Sequence, residues 1–476
     1  MAEAPHTPSS PFLGNPPQAN GAEEATAGAT SKTAVVAGTG TSFWSTTKGK
    51  IVLVVSGLAL LGLVLGLSLG LTVGRRNNSN SCSLGNNSTG QGTNDNGGTN
   101  VPDYSSNWKQ PENLATSDGW FPAPRGGSDP AWVAAYQKAA KLVGKMSLLE
   151  KVNVTSGTGW QMGPCVGNTG TTSVGFPSLC LQDGPLGIRF AYPITAFPAG
   201  ITTAATFNKD LMHSRGRAMG REARNLGINA LLGPCLGPLG RSPLGGRNWE
   251  AFGADPYLQG VAGQLTVRGI QELRVMAVVK HWLGNEQERF RRQGELGSWP
   301  KVKEALSANI GGRAAREVYA WPFQDAVREG ATGVMCSYQQ VNNSYACENS
   351  WLLNGLLKDE LGFQGFVVSD WLAQRSGVNS VIAGMDMTMP GDGLSWADGL
   401  SLLGANLTSM VVNGTVPASR LDDMALRIVA SWYKLGQDSP KFLPKQKKPL
   451  FSSWFRDEIG PLYLRSSDQG DRKSVV

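Results

Sequence analysis

Four apolar, β-branched runs of this chain end on groups that have no place in a hydrophobic core. VMAVVKHW (275–282) reaches Lys280 and His281, GVMCSY (333–338) ends on Tyr338, GFVVSDW (365–371) on Asp370 and Trp371, and AGMDMTMPG (383–391) carries Asp386. A short apolar run without polar alternation is what a strand covered on both faces looks like, as in a parallel sheet. NALLGPCL, around Leu231, has the same texture. Amphipathic segments lie between these runs: ADPYLQGVAGQLTVRGIQEL (254–273), KEALSANIGGRAAREVYAWPFQDAVREG (303–330) and NSWLLNGLLKDELG (349–362), the last with an Asn cap and a closing Gly362. Strands and helices alternating at roughly 30 to 50 residues per strand predict βαβ units and, over about 300 residues, an α/β fold of the (β/α)8 TIM-type barrel class. An open doubly wound sheet is the alternative, but no Gly-x-Gly-x-x-Gly follows a strand.

In parallel α/β folds the C-terminal strand ends line the site, so Lys280, His281, Tyr338, Asp370 and Asp386 are expected to converge there. Taken alone, Asp370 could equally cap a following helix. Lys280 and His281, followed by GNEQERFRR, read as donors that hold a polyhydroxylated ligand and keep Asp370 ionised through nearby positive charge, although alone they could be a satisfied ion pair. LQDGPLGIR places Asp183 in a Gly/Pro turn, where an ordinary Asx-turn is equally open. GRSPLGGRNWEAFG adds Arg247, Trp249 and Glu250 in a loop, with Trp249 open to a role in the core. Trp371 offers an apolar face suited to a sugar ring. One carboxylate anchor, several donors and an aromatic platform fit carbohydrate better than phosphate.

Charge and compartment narrow the function further. Of the net charge of +7, residues 441–476 supply eight Lys/Arg against four Asp/Glu and residues 1–110 six against five, leaving the middle near +2. With no basic stripe interleaved with aromatics, nucleic acid is not an expected partner. No Cys-x-x-Cys occurs and the histidines are His6, His213 and His281, so no metal or other cofactor is expected. Ile51 to Val73 is a run of 23 residues without a charge, about 34 Å long as a helix and able to cross a bilayer. Preceded by 50 polar residues, it reads as an uncleaved signal anchor. Asn-x-Ser/Thr triplets at Asn77, Asn86, Asn87, Asn153, Asn342, Asn406 and Asn413 all follow it, which predicts a single-pass type II membrane protein with its folded part extracellular or lumenal. Cys165/Cys180 and Cys336/Cys347 are pairs close in sequence, spaced as loop-closing disulfides would be there, with Cys82 and Cys235 left over. The expected organisation is a disordered cytosolic tail (1–50), the membrane span (51–73), a low-complexity linker (74–111), the barrel (112–435) and a further linker (436–476).

Five motifs, LQDGPLGIR, GPLGRSPLGGRNWEAFG, KHWLGNEQERFR, MCSYQQVNNSYACENSWLLNGLLKDELGFQGFVVSDW and AGMDMTMPGD, in this order and spacing, resemble the first domain of fungal family 3 glycoside hydrolases, the β-glucosidases. The resemblance covers roughly residues 112 to 435, and it implies that Asp370 is the nucleophile of a retaining mechanism. It implies that Asp183, Arg247, Lys280, His281 and Tyr338 hold the glucosyl hydroxyls and the nucleophile, that Trp371 walls the subsite, and that the two disulfides form. The substrate implied is a β-glucoside or cello-oligosaccharide. In that family the acid/base Glu comes from a second α/β sandwich domain, whereas the sequence after residue 450 resembles the start of the connecting linker and stops. The bacterial single-domain branch uses a barrel-loop His instead, and no His follows His281. Two expectations stand: a truncated, membrane-anchored β-glucosidase lacking its acid/base, or a non-catalytic glucoside-binding barrel.

Overall fold

The computed structural model describes residues 115–158, 165–189, 191–192, 194–237, 243, 245–292, 304–391, 401–440, 442 and 450–451. The expectations for 1–50, 51–73, 74–111 and most of 436–476, together with Cys82, Asn77, Asn86 and Asn87, lie outside these residues. Among the described residues no helix is long and apolar enough to cross a membrane.

Five parallel strands make a curled α/β sheet in which neighbours in space are neighbours in sequence: β1 (Cys180–Asp183), β2 (Ala230–Leu232), β3 (Met276–Trp282), β4 (Gly333–Cys336) and β5 (Phe366–Ser369). Gly167–Asn168 adds an antiparallel edge to β1. Beyond β5 the pairing continues through single bridges, Val368 to Met387 and Ser156 to Thr388, and Gly157 bridges Thr169 beside the β1 edge. The run 383–391 is therefore not a strand. Its first residue closes the helix Val378–Ala383, Gly384 terminates that helix at φ +119°, and Pro390 has no amide to extend a ladder.

The helices between the strands carry local signals that fix their starts. Leu148–Thr155 opens on a capping box in which Ser147 and Glu150 bond reciprocally. Asp255 caps α2 (Pro256–Glu272), with proline in the first turn. This helix packs on α1 (Lys209–Asn225) through glycines: a Cβ on Gly216 would lie 2.6 Å from the Thr266 carbonyl, and one on Gly269 would lie 2.5 Å from that of His213. Of the segment 303–330, only the later part is helical, from Gly312 to Arg328. Ser307–Ala308 instead pairs with Gln340–Val341, so the strand-forming demand of a distant partner overrides local helix propensity. The 349–362 segment forms a π-helical stretch at Trp351–Glu360, and α3 (Ala418–Lys434) packs over the described N-terminal helices.

Strand periodicity places the site. Met276, Val278 and Lys280 alternate with Ala277 and Val279, and Phe366, Val368 and Asp370 alternate with Val367 and Ser369; the two sets belong to different apolar clusters. Lys280 and Asp370 thus continue the interior stripes of their strands beyond the last apolar layer. The register against β4 slips between Lys280 and Trp282. Such a bulge re-aims a side chain, and it lets His281 join Lys280 at the same cavity.

Both disulfides form: Cys165–Cys180 with Cα atoms 5.4 Å apart ties a loop to the first residue of β1, and Cys336–Cys347 at 5.2 Å ties the last residue of β4. Among the described residues Cys235 is the free cysteine, and it is buried. Asn153, Asn406 and Asn413 are exposed, whereas Asn342 is buried, with its amide donating to the Ile310 carbonyl and accepting from Ile310 N. That sequon has a structural use in the fold.

Candidate active site

A cavity of about 850 Å³ opens at the C-terminal ends of β1, β3, β4 and β5, and its lining includes Asp183, Arg247, Lys280, His281, Tyr338, Asp370 and Trp371. The seven residues that the family resemblance implies are therefore brought together there, with Trp249 and Glu250 from the same loop as Arg247. Asp386, expected with them, is not. The structure adds Glu288, Arg291 and Arg189 to the lining. Each of the three lies inside a motif quoted above, but nothing local distinguished it from an ordinary surface charge.

The charges form an alternating chain. Arg189 donates to Asp183 Oδ2 at 2.6 Å, and Lys280 Nζ lies 3.6 Å from Asp183 Oδ1 and 3.1 Å from Glu250 Oε1. Arg247 grips Glu250 with two bonds, Nε to Oε2 at 2.7 Å and a terminal nitrogen to Oε1 at 3.0 Å. Glu288 lies 3.9 Å from Arg247 and takes Arg291 at 2.8 Å. Burial works against the charge on Glu250, yet Lys280 and Arg247 outweigh it and hold its carboxyl down at about 2. The same contest leaves Asp183 below the usual carboxylate range through Lys280 and Arg189. Lys280, buried, is held above the ordinary lysine value by Glu250 and Asp183. Glu250 is the hub: it fixes Arg247 in a planar bidentate grip and neutralises Lys280 beside it.

Asp370 is treated differently. Its Oδ1 accepts the Trp371 amide at 2.7 Å, while Oδ2 is buried and accepts no hydrogen bond. Burial raises its pKa, opposed by the positive charges of Arg247, Arg291 and Lys280. His281 Nε2 lies 3.5 Å from Oδ2, but burial, and after it Arg247, Lys280 and Arg291, push the imidazole well below its ordinary value, so it is neutral at pH 7. The expectation that His281 supplies positive charge to Asp370 is corrected: the arginines and Lys280 do. The Tyr338 phenol, stacked under Arg291 at 4.5 Å, is raised well above 10 by burial and by Asp370, and stays a donor. Trp371 is fixed by its indole N–H, which donates to the Val166 carbonyl at 2.8 Å.

Asp386 lies instead against the beginning of β5. Its Oδ2 accepts from Val367 N at 2.8 Å, and its Oδ1 receives Lys358 at 2.8 Å and Arg420 at 2.7 Å. The strand-end rule failed here because its run is not a strand. Trp249, open to a core role on sequence, is 43% exposed. No cluster of His, Cys, Asp and Glu among the described residues is arranged to hold a metal ion.

A cavity with one unsatisfied carboxylate, fixed cationic donors and an indole wall is chemically suited to a neutral polyol. The family profile for the glycosyl hydrolase family 3 N terminal domain matches residues 170–431. The chain is 60% identical over 362 residues to "Probable beta-glucosidase E" of Aspergillus oryzae, an alignment covering 75% of this chain and 34% of that protein. It superposes on the Chaetomium thermophilum beta-glucosidase with a TM-score of 0.68 at 54% identity, over 73% of this chain and 41% of that one. It also superposes on beta-glucosidase 3B of Thermotoga neapolitana in complex with glucose, with a TM-score of 0.56 at 30% identity, over 62% and 42% of the two chains. The chain spans about a third of the length of the Aspergillus protein. With more than half of its residues matched by that profile, the chain belongs to glycosyl hydrolase family 3, by way of the family's N-terminal domain.

Proposed function

We propose that this domain binds the non-reducing glucosyl residue of a β-glucoside and presents Asp370 as the nucleophile of a retaining cleavage. We read the curled sheet with its returning bridges as a barrel of the (β/α)8 kind, which sets the cavity at the strand ends. The observation that carries the reading is the Asp370 carboxylate: buried at a cavity wall, anchored through one oxygen, and unbonded through the other. A buried carboxylate oxygen without a partner, on a residue that lines a cavity, is a site for a ligand to fill. Asp183, Arg247, Lys280, His281 and Tyr338 supply donors and acceptors for sugar hydroxyls around it, and Trp371 closes the wall.

In the proposed step the Asp370 carboxylate bonds to the anomeric carbon as the bond to the aglycone oxygen breaks, and the electron pair leaves on that oxygen. Retaining hydrolysis needs a second carboxyl group about 5 to 5.5 Å from the nucleophile to deliver a proton there. The other carboxylates lining the described cavity, Asp183, Glu250 and Glu288, are each engaged with cations. The described residues therefore favour leaving groups that depart without protonation, such as a dinitrophenolate, over a sugar alkoxide. Mixing the folded chain with dinitrophenyl β-glucoside and weighing the intact protein tests this. One hexosyl unit on Asp370, absent in Asp370→Ala, is expected; a folded chain that binds glucose but never gains the adduct leaves only a glucoside-binding barrel.

Residues 51–73 are proposed as a membrane anchor with the domain outside the cytosol, a reading supported by the disulfides. Endoglycosidase treatment of the expressed protein without a mobility shift would count against it.

A further inference from the structure

The positive charges of Arg247, Arg291 and Lys280 all act on Asp370, yet its Oδ2 is buried without a hydrogen-bond partner. Arginine and lysine bind such an oxygen strongly when they are free to reach it, so something keeps them engaged elsewhere. Arg247 commits Nε and a terminal nitrogen to Glu250, at 2.7 and 3.0 Å, and Lys280 Nζ lies 3.1 Å from the same carboxylate. The remaining ion pairs of these two cations run to Glu288 at 3.9 Å and to Asp183 at 3.6 Å, and Arg291 is taken by Glu288 at 2.8 Å. Glu250 thus engages two of the three cations. It is only 5% exposed, so its pairs escape the solvent screening that weakens surface ones. Its backbone is held as well: Glu250 N donates to the Arg247 carbonyl at 3.1 Å, and Gly200 packs so close to the Glu250 carbonyl that a Cβ there would not fit. The other groups that face Asp370 are accounted for. His281 is neutral, Tyr338 keeps its proton, the Trp371 amide occupies Oδ1, and Arg189 closes on Asp183 at 2.6 Å.

We propose that Glu250 is a positioning residue for the cleavage step: it keeps Arg247 and Lys280 turned to itself and so leaves a carboxylate oxygen of Asp370 open to the anomeric carbon. This rests on the function proposed above, with Asp370 as the nucleophile. Cations near that carboxylate keep it ionised, but a cation bonded to it ties up the electron pair that must go to carbon. Glu250 reconciles the two demands. It holds the positive charge within reach of Asp370 while filling the donor positions that would otherwise capture it.

The rate at which dinitrophenyl β-glucoside loads a hexosyl unit onto the full chain, followed by intact mass against pH, tests this. In the wild type the rate rises with pH as Asp370 ionises. In Glu250→Gln the released cations turn to Asp370, so the rise should move about one unit to lower pH and the plateau rate should fall. Glu250→Asp, which keeps the charge, should leave the rise where the wild type has it and recover part of the plateau. A residue that only supports the fold would lower the plateau in both variants without moving the rise, and that result overturns the proposal. Should Glu250→Gln not fold, the double variant Lys280→Met/Glu250→Gln reads the same quantity, because it removes one charge of each sign and leaves the net charge beside Asp370 as it was. Its rise should match the wild type; one displaced by about a unit would show that Glu250 acts otherwise than by balancing these cations, and would also overturn the role. A folded wild-type chain that gives no adduct removes the nucleophile, and this role with it. An adduct in the wild type with an unmoved rise in Glu250→Gln sinks the role of Glu250 alone.

Discussion

Asp370 and Asp386 attach to opposite ends of β5, about 10 Å apart along the strand, and their surroundings are opposite in kind. Around Asp386 every oxygen is used: Val367 N, Lys358 and Arg420 saturate it, and Arg420 continues to Asp423 at 2.8 Å, which Arg427 also holds at 3.2 Å. At the other end Asp370 is also buried, yet it lines a cavity and its Oδ2 has no hydrogen-bond partner. Burial alone does not separate function from structure. Placement and satisfaction together do: Asp386 is saturated and lies off the cavity, whereas Asp370 lines it with an oxygen to spare.

The comparison breaks first at Asp386. Asp386→Ala leaves Lys358 and Arg420 buried beside nothing but a neighbour's share of negative charge, and breaking such a network costs about 3 to 5 kcal/mol. A large drop in the denaturation midpoint, or failure to fold, is expected; a stable protein that has lost only ligand binding would reverse the roles of the two aspartates.

Asp370→Asn tests the other arm. Its carboxyl titrates above the ordinary 3.8 in the fold because burial disfavours the charge. The sign follows: the folded state holds this proton more tightly than the unfolded, so the contribution to stability is complete below the ordinary value and is lost as pH rises through the folded one. Asp370→Asn should therefore lose adduct formation entirely while matching or exceeding wild-type stability at pH 7, and the gain should vanish in acid. Urea melts across pH read this directly; destabilisation at pH 7 comparable to that of Asp386→Ala would erase the contrast.

The smallest expected effect lies inside the saturated network. Lys358, Arg420 and Arg427 face two carboxylates, Asp386 and Asp423, so one positive charge is in excess, and of the three cations only lysine releases a proton readily. Burial, against the pull of Asp386, brings Lys358 from 10.5 to about 7. A depressed folded value means that its stabilising contribution is complete above 10.5 and is lost as pH falls through 7, so stability should rise with pH across that window. Lys358→Met should flatten the rise and leave Asp386 paired with Arg420. An unchanged slope would show that Lys358 stays charged.

Much of the site was legible because its residues end apolar runs or sit in Gly-rich turns: Lys280 and Asp370 needed only the strand-end rule, and Asp183, in its Gly/Pro turn, needed the family resemblance to lift it above an ordinary Asx-turn. What escaped was non-local. Glu250 was named from its loop, but its place as hub comes from Lys280, thirty residues away; Glu288 and Arg291, which meet Arg247 from another segment, carried no signal of their own. The same blindness put Asp386 in the site, since residues 383–391 have a strand's composition but meet β5 through one bridge. Local pattern also overran at 303–330, where pairing of Ser307–Ala308 with Gln340–Val341 decides the conformation. The charge state of His281 depends first on its burial and then on Arg247, brought in from another segment, which no spacing encodes.

The glycine-mediated contact between α1 and α2 has a consequence for inheritance. With main chain resting on main chain at Gly216, Gly220 and Gly269, any larger residue must push two helices apart rather than displace a side chain. Outward positions of these helices are free to drift between lineages, but these three record a distance, and a descendant that altered one would have to change the spacing of the whole helical layer behind β2 and β3.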